Sequence, residues 1–120
     1  MKSHTRYNDA EAFITKDGSA IRELMHPNRH AVRAQSFAEA IVSVGATTEL
    51  HLHRRSEEIY HITQGAGHMR LGANWFAVGV GDTIVIKPGT PHCITNVGKD
   101  ALKIICACSP AYSHEDTDLI

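Results

Sequence analysis

The sequence predicts an all-β protein, an antiparallel sandwich or barrel, and three observations lead there. Short apolar or alternating runs recur at 35–44, 49–53, 57–64, 67–71, 75–79, 83–87, 92–97 and 101–108, which is strand length and strand spacing. Glycines punctuate them at Gly45, Gly65, Gly72, Gly81, Gly89 and Gly98. No helical period lies between the runs, so the crossover helices that a parallel sheet needs are missing.

Taken in order, residues 1–12 are polar and read as a flexible N-terminal segment. Phe13-Ile14 then leads into a turn at Lys16-Asp17-Gly18. Ile21, Leu24 and Met25 have helical spacing and equally fit a short strand, ended by His26-Pro27-Asn28. The eight runs follow and close a barrel domain over 13–110. After Ser109-Pro110 the chain turns polar and acidic, so 111–120 reads as a polar surface tail or as a cover over a barrel mouth.

The chain has 120 residues, with 42% hydrophobic and 21% charged residues, which is one soluble globular domain. A formal charge of −1 leaves no footprint for nucleic acid, and Arg54-Arg55 is too short to supply one. No run reaches membrane-spanning length and the N-terminus lacks a signal-peptide core, so the expected location is cytoplasmic. Cys93, Cys106 and Cys108 are odd in number and lack a disulfide-framework spacing, which agrees with a reducing compartment.

Nine histidines are the compositional oddity. In the stretch HLHRRSEEIYHITQG, His51 and His53 sit two apart, so on a strand they point the same way and can hold one ion. Glu58 follows after a loop that can fold back to bring its carboxylate beside them. Downstream, Pro88-Gly89-Thr90-Pro91 is a rigid turn delivering His92 at a strand start, with Asn96 on the same face.

These residues fall into two motifs. Gly45, His51, His53, Glu58 and Gly65 match G(X)5HXH(X)3-4E(X)6G throughout. Gly81, Gly89, His92 and Asn96 match G(X)5PXG(X)2H(X)3N, with Lys87 at the first proline position and Pro88 after it. With fifteen residues between the motifs, the chain resembles the cupin family, and its two ends are similar to those of small bacterial single-domain cupins. The resemblance implies a conical jelly-roll barrel (an antiparallel double-stranded β-helix) with inward ligands, usually a homodimer.

It also implies that His51, His53, Glu58 and His92 bind one divalent transition metal per chain. Three imidazoles and one carboxylate suit iron, manganese, nickel, zinc or copper rather than magnesium or calcium. Four protein ligands around a six-coordinate ion leave two positions for water or substrate. The expected function is that of a metal-dependent enzyme acting on a small oxygen-rich molecule, such as a phenolic, a keto or hydroxy acid, or a sugar derivative. The reaction is then dioxygenation with a redox metal, or isomerase or lyase chemistry with a non-redox ion. The alternative is a non-catalytic cupin that binds or senses a small ligand.

Around the site, Tyr60 shares the parity of Glu58 and is a candidate catalytic donor to substrate or, equally, an amphipathic wall residue. His61 faces the other way. Cys106 and Cys108 share the inward parity of Leu102 and Ile104 and read as buried small hydrophobes, while Cys93 reads as packing outside the cavity. His26 and His30 lack the glutamate of a helical zinc-protease motif, and neither a nucleophile elbow nor a phosphate loop occurs.

Overall fold

The computed structural model describes residues 1–120, and eleven short strands account for nearly all of its regular structure: β1 (Ala12–Ile14), β2 (Ala20–Met25), β3 (Ser36–Val42), β4 (His51–His53), β5 (Glu57–Gln64), β6 (Ala66–Leu71), β7 (Asn74–Gly79), β8 (Thr83–Ile86), β9 (His92–Asn96), β10 (Leu102–Ser109) and β11 (Thr117–Leu119). They form two antiparallel sheets, one ordered β1-β2-β3-β10-β5-β8 and the other β11-β4-β9-β6-β7. The jelly roll implied by the sequence is therefore present. The only helical turn is Tyr7–Asp9, and no helix is long and apolar enough to cross a membrane. All eight expected runs are strands, and the ambiguous stretch around Ile21 is the strand β2.

The long strands bury alternate residues. In β5, Glu58, Tyr60 and Ile62 are buried while Glu57, Ile59 and His61 are exposed, and in β10 Leu102, Ile104, Cys106 and Cys108 are buried. Antiparallel register sets these residues in rows across the interior. Ser36, Cys108, Glu58 and Ile86 form one row, and Ala38, Cys106, Tyr60 and Ile84 the next. Ala40, Ile104 and Ile62 follow, then Val42 and Leu102. The barrel is thus graded, polar at one end and apolar at the other, where Met69 and Ile94 of the second sheet join the core.

On the outer face of the six-stranded sheet, Phe37, Ala107, Ile59 and Val85 lie in register. Phe37, Ile59 and Val85 are each more than 40% exposed, an apolar row with no cover in the single chain.

Both chain ends pack against the barrel. The N-terminal segment packs on the sheet: Lys2 bridges to His30, Tyr7 donates its hydroxyl proton to Glu39, Arg22 donates to the Ala10 carbonyl and Ala10 is buried. Residues 111–120 are no free surface tail. β11 pairs with β4, and Asp116 and Thr117 are buried. Their polarity serves internal hydrogen bonds, which composition alone reads as solvation.

Gly67 marks the tightest close approach in the core. A Cβ there would meet Ile94 Cδ1 at 3.1 Å and Leu102 Cδ2 at 3.2 Å. Gly67→Ala is expected to cost about 1–3 kcal/mol through overpacking, read as a lower urea midpoint at unchanged slope.

Candidate metal centre

Strand parity and two turns build the centre. His51 and His53 point inward from β4, and His92 enters from the first position of β9, directly opposite His51 in the antiparallel pairing. The turn before β9 is fixed by Gly89, whose positive φ of 78° suits glycine and whose N–H donates to the His53 carbonyl at 2.7 Å. Glu58 arrives from β5 in the other sheet. Asp116 organises the loop between His53 and Glu58, accepting N–H bonds from Arg55 at 2.9 Å and Ser56 at 3.0 Å.

The ligating atoms of His51, His53 and His92 lie within 4.8 Å of one another, and all three residues are buried. Three buried histidines are thus positioned to bind a metal. Each ring is oriented by its Nδ1. His51 Nδ1 donates to the Glu49 carbonyl at 2.7 Å and His92 Nδ1 to the Thr90 carbonyl at 2.9 Å. His53 Nδ1 donates to Thr117 Oγ1 at 2.9 Å, since that hydroxyl's own proton goes to the Ser113 carbonyl. Carbonyl oxygens only accept, so each ring holds a proton on Nδ1 and turns Nε2 to the interior, where a ring with no second proton presents a lone pair.

What those lone pairs face is negative. Glu58 Oε1 lies 3.1 Å from His53 Nε2 and 3.5 Å from His92 Nε2. Asp17 Oδ2 lies 3.7 Å from His51 Nε2. Burial pushes the Glu58 carboxyl up, and positive charge or an N–H turned toward it from the facing His53 and His92 edges outweighs this and brings it down to about 2; where both Nε2 are bare, a cation among them has to supply that charge. Burial, with the neighbouring His92, lowers His51 from the ordinary histidine value and keeps it neutral. His92 Nε2 is buried with no hydrogen-bond partner. Lone pairs facing carboxylates in a buried space repel unless a cation lies among them, and a buried polar atom without a partner is costly. The donor set of nitrogen and hard anionic oxygen fits a divalent first-row transition ion.

The remaining expected residues sort by position. Tyr60 is buried, lines the same cavity and has its ring centroid 6.0 Å from that of His92. Asn96 points away from the centre. Its amide donates to the Val42 and Asp100 carbonyls and accepts from the Gly98 N–H, which closes the β9–β10 turn. Cys106 and Cys108 are inside the barrel, and Cys93 is buried outside the cavity. His61 is exposed and bonded to Thr83, and His26 donates to the Tyr112 carbonyl away from the centre.

Sequence reasoning missed three participants. Cys108 Sγ lies 3.3 Å from Glu58 Oε2, where its S–H donates and leaves Oε1 turned to the histidines. Thr117 fixes the His53 ring, and Asp17 carries the second carboxylate. Asp17 shows in sequence only as a turn residue, and Thr117 as part of a polar tail.

The comparisons with known proteins agree with this geometry. The cupin domain profile matches residues 38–108, which include every expected ligand. The chain belongs to the cupin family. It is 54% identical over 116 residues to the uncharacterized protein MJ1618 of Methanocaldococcus jannaschii, covering 97% of this chain and 93% of that protein. Among solved structures it resembles a single-residue variant of Streptomyces PAC13 with uridine, at a TM-score of 0.80 and 17% identity over 100% of this chain and 92% of that one. A predicted oxalate decarboxylase of Thermotoga maritima superposes with a TM-score of 0.75 and 23% identity over 87% and 96% of the two chains. These two likenesses show the shared cupin fold.

Burial pushes the Cys106 and Cys108 thiols far up, and the Glu58 charge adds to it. Both should therefore react slowly with iodoacetamide up to pH 9 in the native protein, followed by mass spectrometry. Cys108→Ala should weaken metal binding about tenfold, the scale for removing an outer hydrogen bond to a ligand. Cys108→Ser, which restores a donor, should recover most of it in a competitive chelator titration.

Proposed function

We propose that this cupin is a metal-dependent lyase or isomerase acting on a small oxygen-rich molecule, with His51, His53, His92 and Glu58 holding one divalent transition ion. The observation that carries this reading is the convergence of three buried imidazole Nε2 atoms beside the Glu58 carboxyl group, with His51, His53 and Glu58 lining a cavity of about 50 Å³. That volume admits a few waters or one small molecule. A cation held there supplies Lewis-acid polarisation of a bound carbonyl or hydroxyl oxygen.

The chain's own residues do the rest. Val42, Ile94 and Ile104 wall the cavity and exclude water from its inner end. Burial, then the Glu58 charge, raises the Tyr60 phenol well above its ordinary value, so Oη keeps its proton and serves as a donor to a ligand oxygen. Glu58 stays ionised and oriented by Cys108. Elimination or isomerisation is favoured over dioxygenation because fold relatives carry such names: Pac13 is described as a nucleoside dehydratase and RemF of Streptomyces resistomycificus as a polyketide cyclase.

The apolar row Phe37, Ile59 and Val85 supports assembly with a second copy of the chain through that sheet face, since a row of this kind can match itself across a two-fold axis. Light scattering should give twice 13.1 kDa, and Ile59→Arg should give the monomer.

Elemental analysis should find about one transition ion per chain, largely lost in His51→Ala and His92→Ala variants that remain folded. Metal-loaded protein should convert a hydroxylated carbonyl compound to an eliminated or isomerised product, seen by NMR with no dioxygen consumed. Tyr60→Phe should lower kcat about a hundredfold if Oη donates a proton in the transition state. Tight ligand binding without turnover by any loaded ion would move the assignment to a ligand-binding cupin, and dioxygen uptake would move it to dioxygenation.

A further inference from the structure

The cavity carries a charge pattern that extends beyond the four expected metal ligands. Its walls include three carboxyl side chains, Asp17, Glu23 and Glu58, and no lysine or arginine. Lys16, adjacent to Asp17 in sequence, donates to the His114 and Thr117 carbonyls instead. Glu23 faces His26 and Arg29 at 3.7 and 3.8 Å and is in part balanced. Asp17 is not.

The hairpin turn holds Asp17 by one oxygen only. Oδ1 accepts the Thr15 hydroxyl at 2.7 Å, the Ser19 N–H at 2.9 Å and the Ser19 hydroxyl at 2.6 Å. Oδ2 takes none of these and lies 3.7 Å from His51 Nε2, with the side chain 12% exposed. A ligand in the cavity meets an acceptor at this end, and the polar wall also offers the hydroxyls of Ser36 and Thr48.

Resting on the metal-centre reading above, we propose that the substrate is a neutral hydroxylated carbonyl compound, and that Asp17 Oδ2 accepts a hydrogen bond from its hydroxyl group. An anionic group on the ligand meets no cationic side chain on the cavity wall and is repelled by Asp17. This separates the sugar-like members of the substrate range from keto acids and dicarboxylates. A hydroxyl donor pairs with Oδ2 at no such cost, and a hydrogen bond to a charged acceptor is among the stronger ones.

Dihydroxyacetone and hydroxypyruvate test this, because they differ in one group, a hydroxymethyl in the first and a carboxylate in the second. Their binding to manganese-loaded protein is measured by calorimetry, with the metal content of every sample determined alongside. Wild-type protein should bind dihydroxyacetone more tightly. Asp17→Asn keeps an oxygen for Thr15 and Ser19 and removes the charge, so it should weaken dihydroxyacetone about tenfold and tighten hydroxypyruvate.

Opposite shifts support the proposal. Shifts in the same direction, no shift, or a wild-type preference for hydroxypyruvate overturn it. Should Asp17→Asn fail to fold, the wild-type order alone decides. A protein that takes up no manganese refutes the metal-centre reading instead, and the order of the two probes on that metal-free protein still tests the charge argument by itself.

Discussion

The rest of the structure depends on one constraint: three imidazole rings in one buried space must each keep Nε2 free. Left to itself, a buried histidine satisfies either nitrogen with whatever lies near. Here every Nδ1 is committed to an oxygen of the protein, two of them backbone carbonyls two residues away in sequence, Glu49 for His51 and Thr90 for His92. Those local bonds are properties of the turns that enter β4 and β9. The rings are therefore aimed by the backbone itself. The third ring depends on a distant segment, because Thr117 reaches His53 only after the chain has travelled round the barrel to form β11.

The grading of the interior follows from the same constraint. A polar cluster of this density cannot be surrounded by polar groups on all sides without losing the hydrophobic driving force of a small domain. The strands solve this along their length. β5 and β10 carry Glu58 and Cys108 at one end and Ile62, Ile104 and Leu102 a few residues further on. The apolar rows supply most of the burial that holds the sheets together, and the polar rows are free to present chemistry. Tyr60 and Cys106 mark the transition, each with an apolar body and one polar atom.

What could be read from the sequence divides by range. Strand parity and glycine-marked turns are local, so the eight runs, the shared face of His51 and His53 and the inward face of Cys106 and Cys108 were all legible. Glu58 was legible because the loop between it and His53 is short. Asp17 was not, since a Lys-Asp-Gly turn is written the same way whether its carboxylate meets solvent or a histidine. Asp116 and Thr117 were illegible for a related reason: their partners Ser56 and His53 lie about half the chain away, and nothing local distinguishes a polar segment that folds inward from one that stays in water.

The position of the centre relative to the sheets gives it a second consequence. β4 itself pairs with β9 only at His51 opposite His92, and the residues before it continue the contact through Thr47 opposite Thr95, whereas β3, β10 and β5 pair over most of their lengths. The centre therefore lies at a short seam of the five-stranded sheet, and its fourth side chain, Glu58, comes from the other sheet. A cation shared by these residues would tie β4 to β9 and both to β5, and without one the same residues would oppose one another across that seam. Binding free energy at such a place is also folding free energy. A barrel that sets these groups at a short seam would couple the order of that end to the occupancy of its centre, and the loops that carry Asp17 and Thr117, which line the same cavity, would be ordered with it.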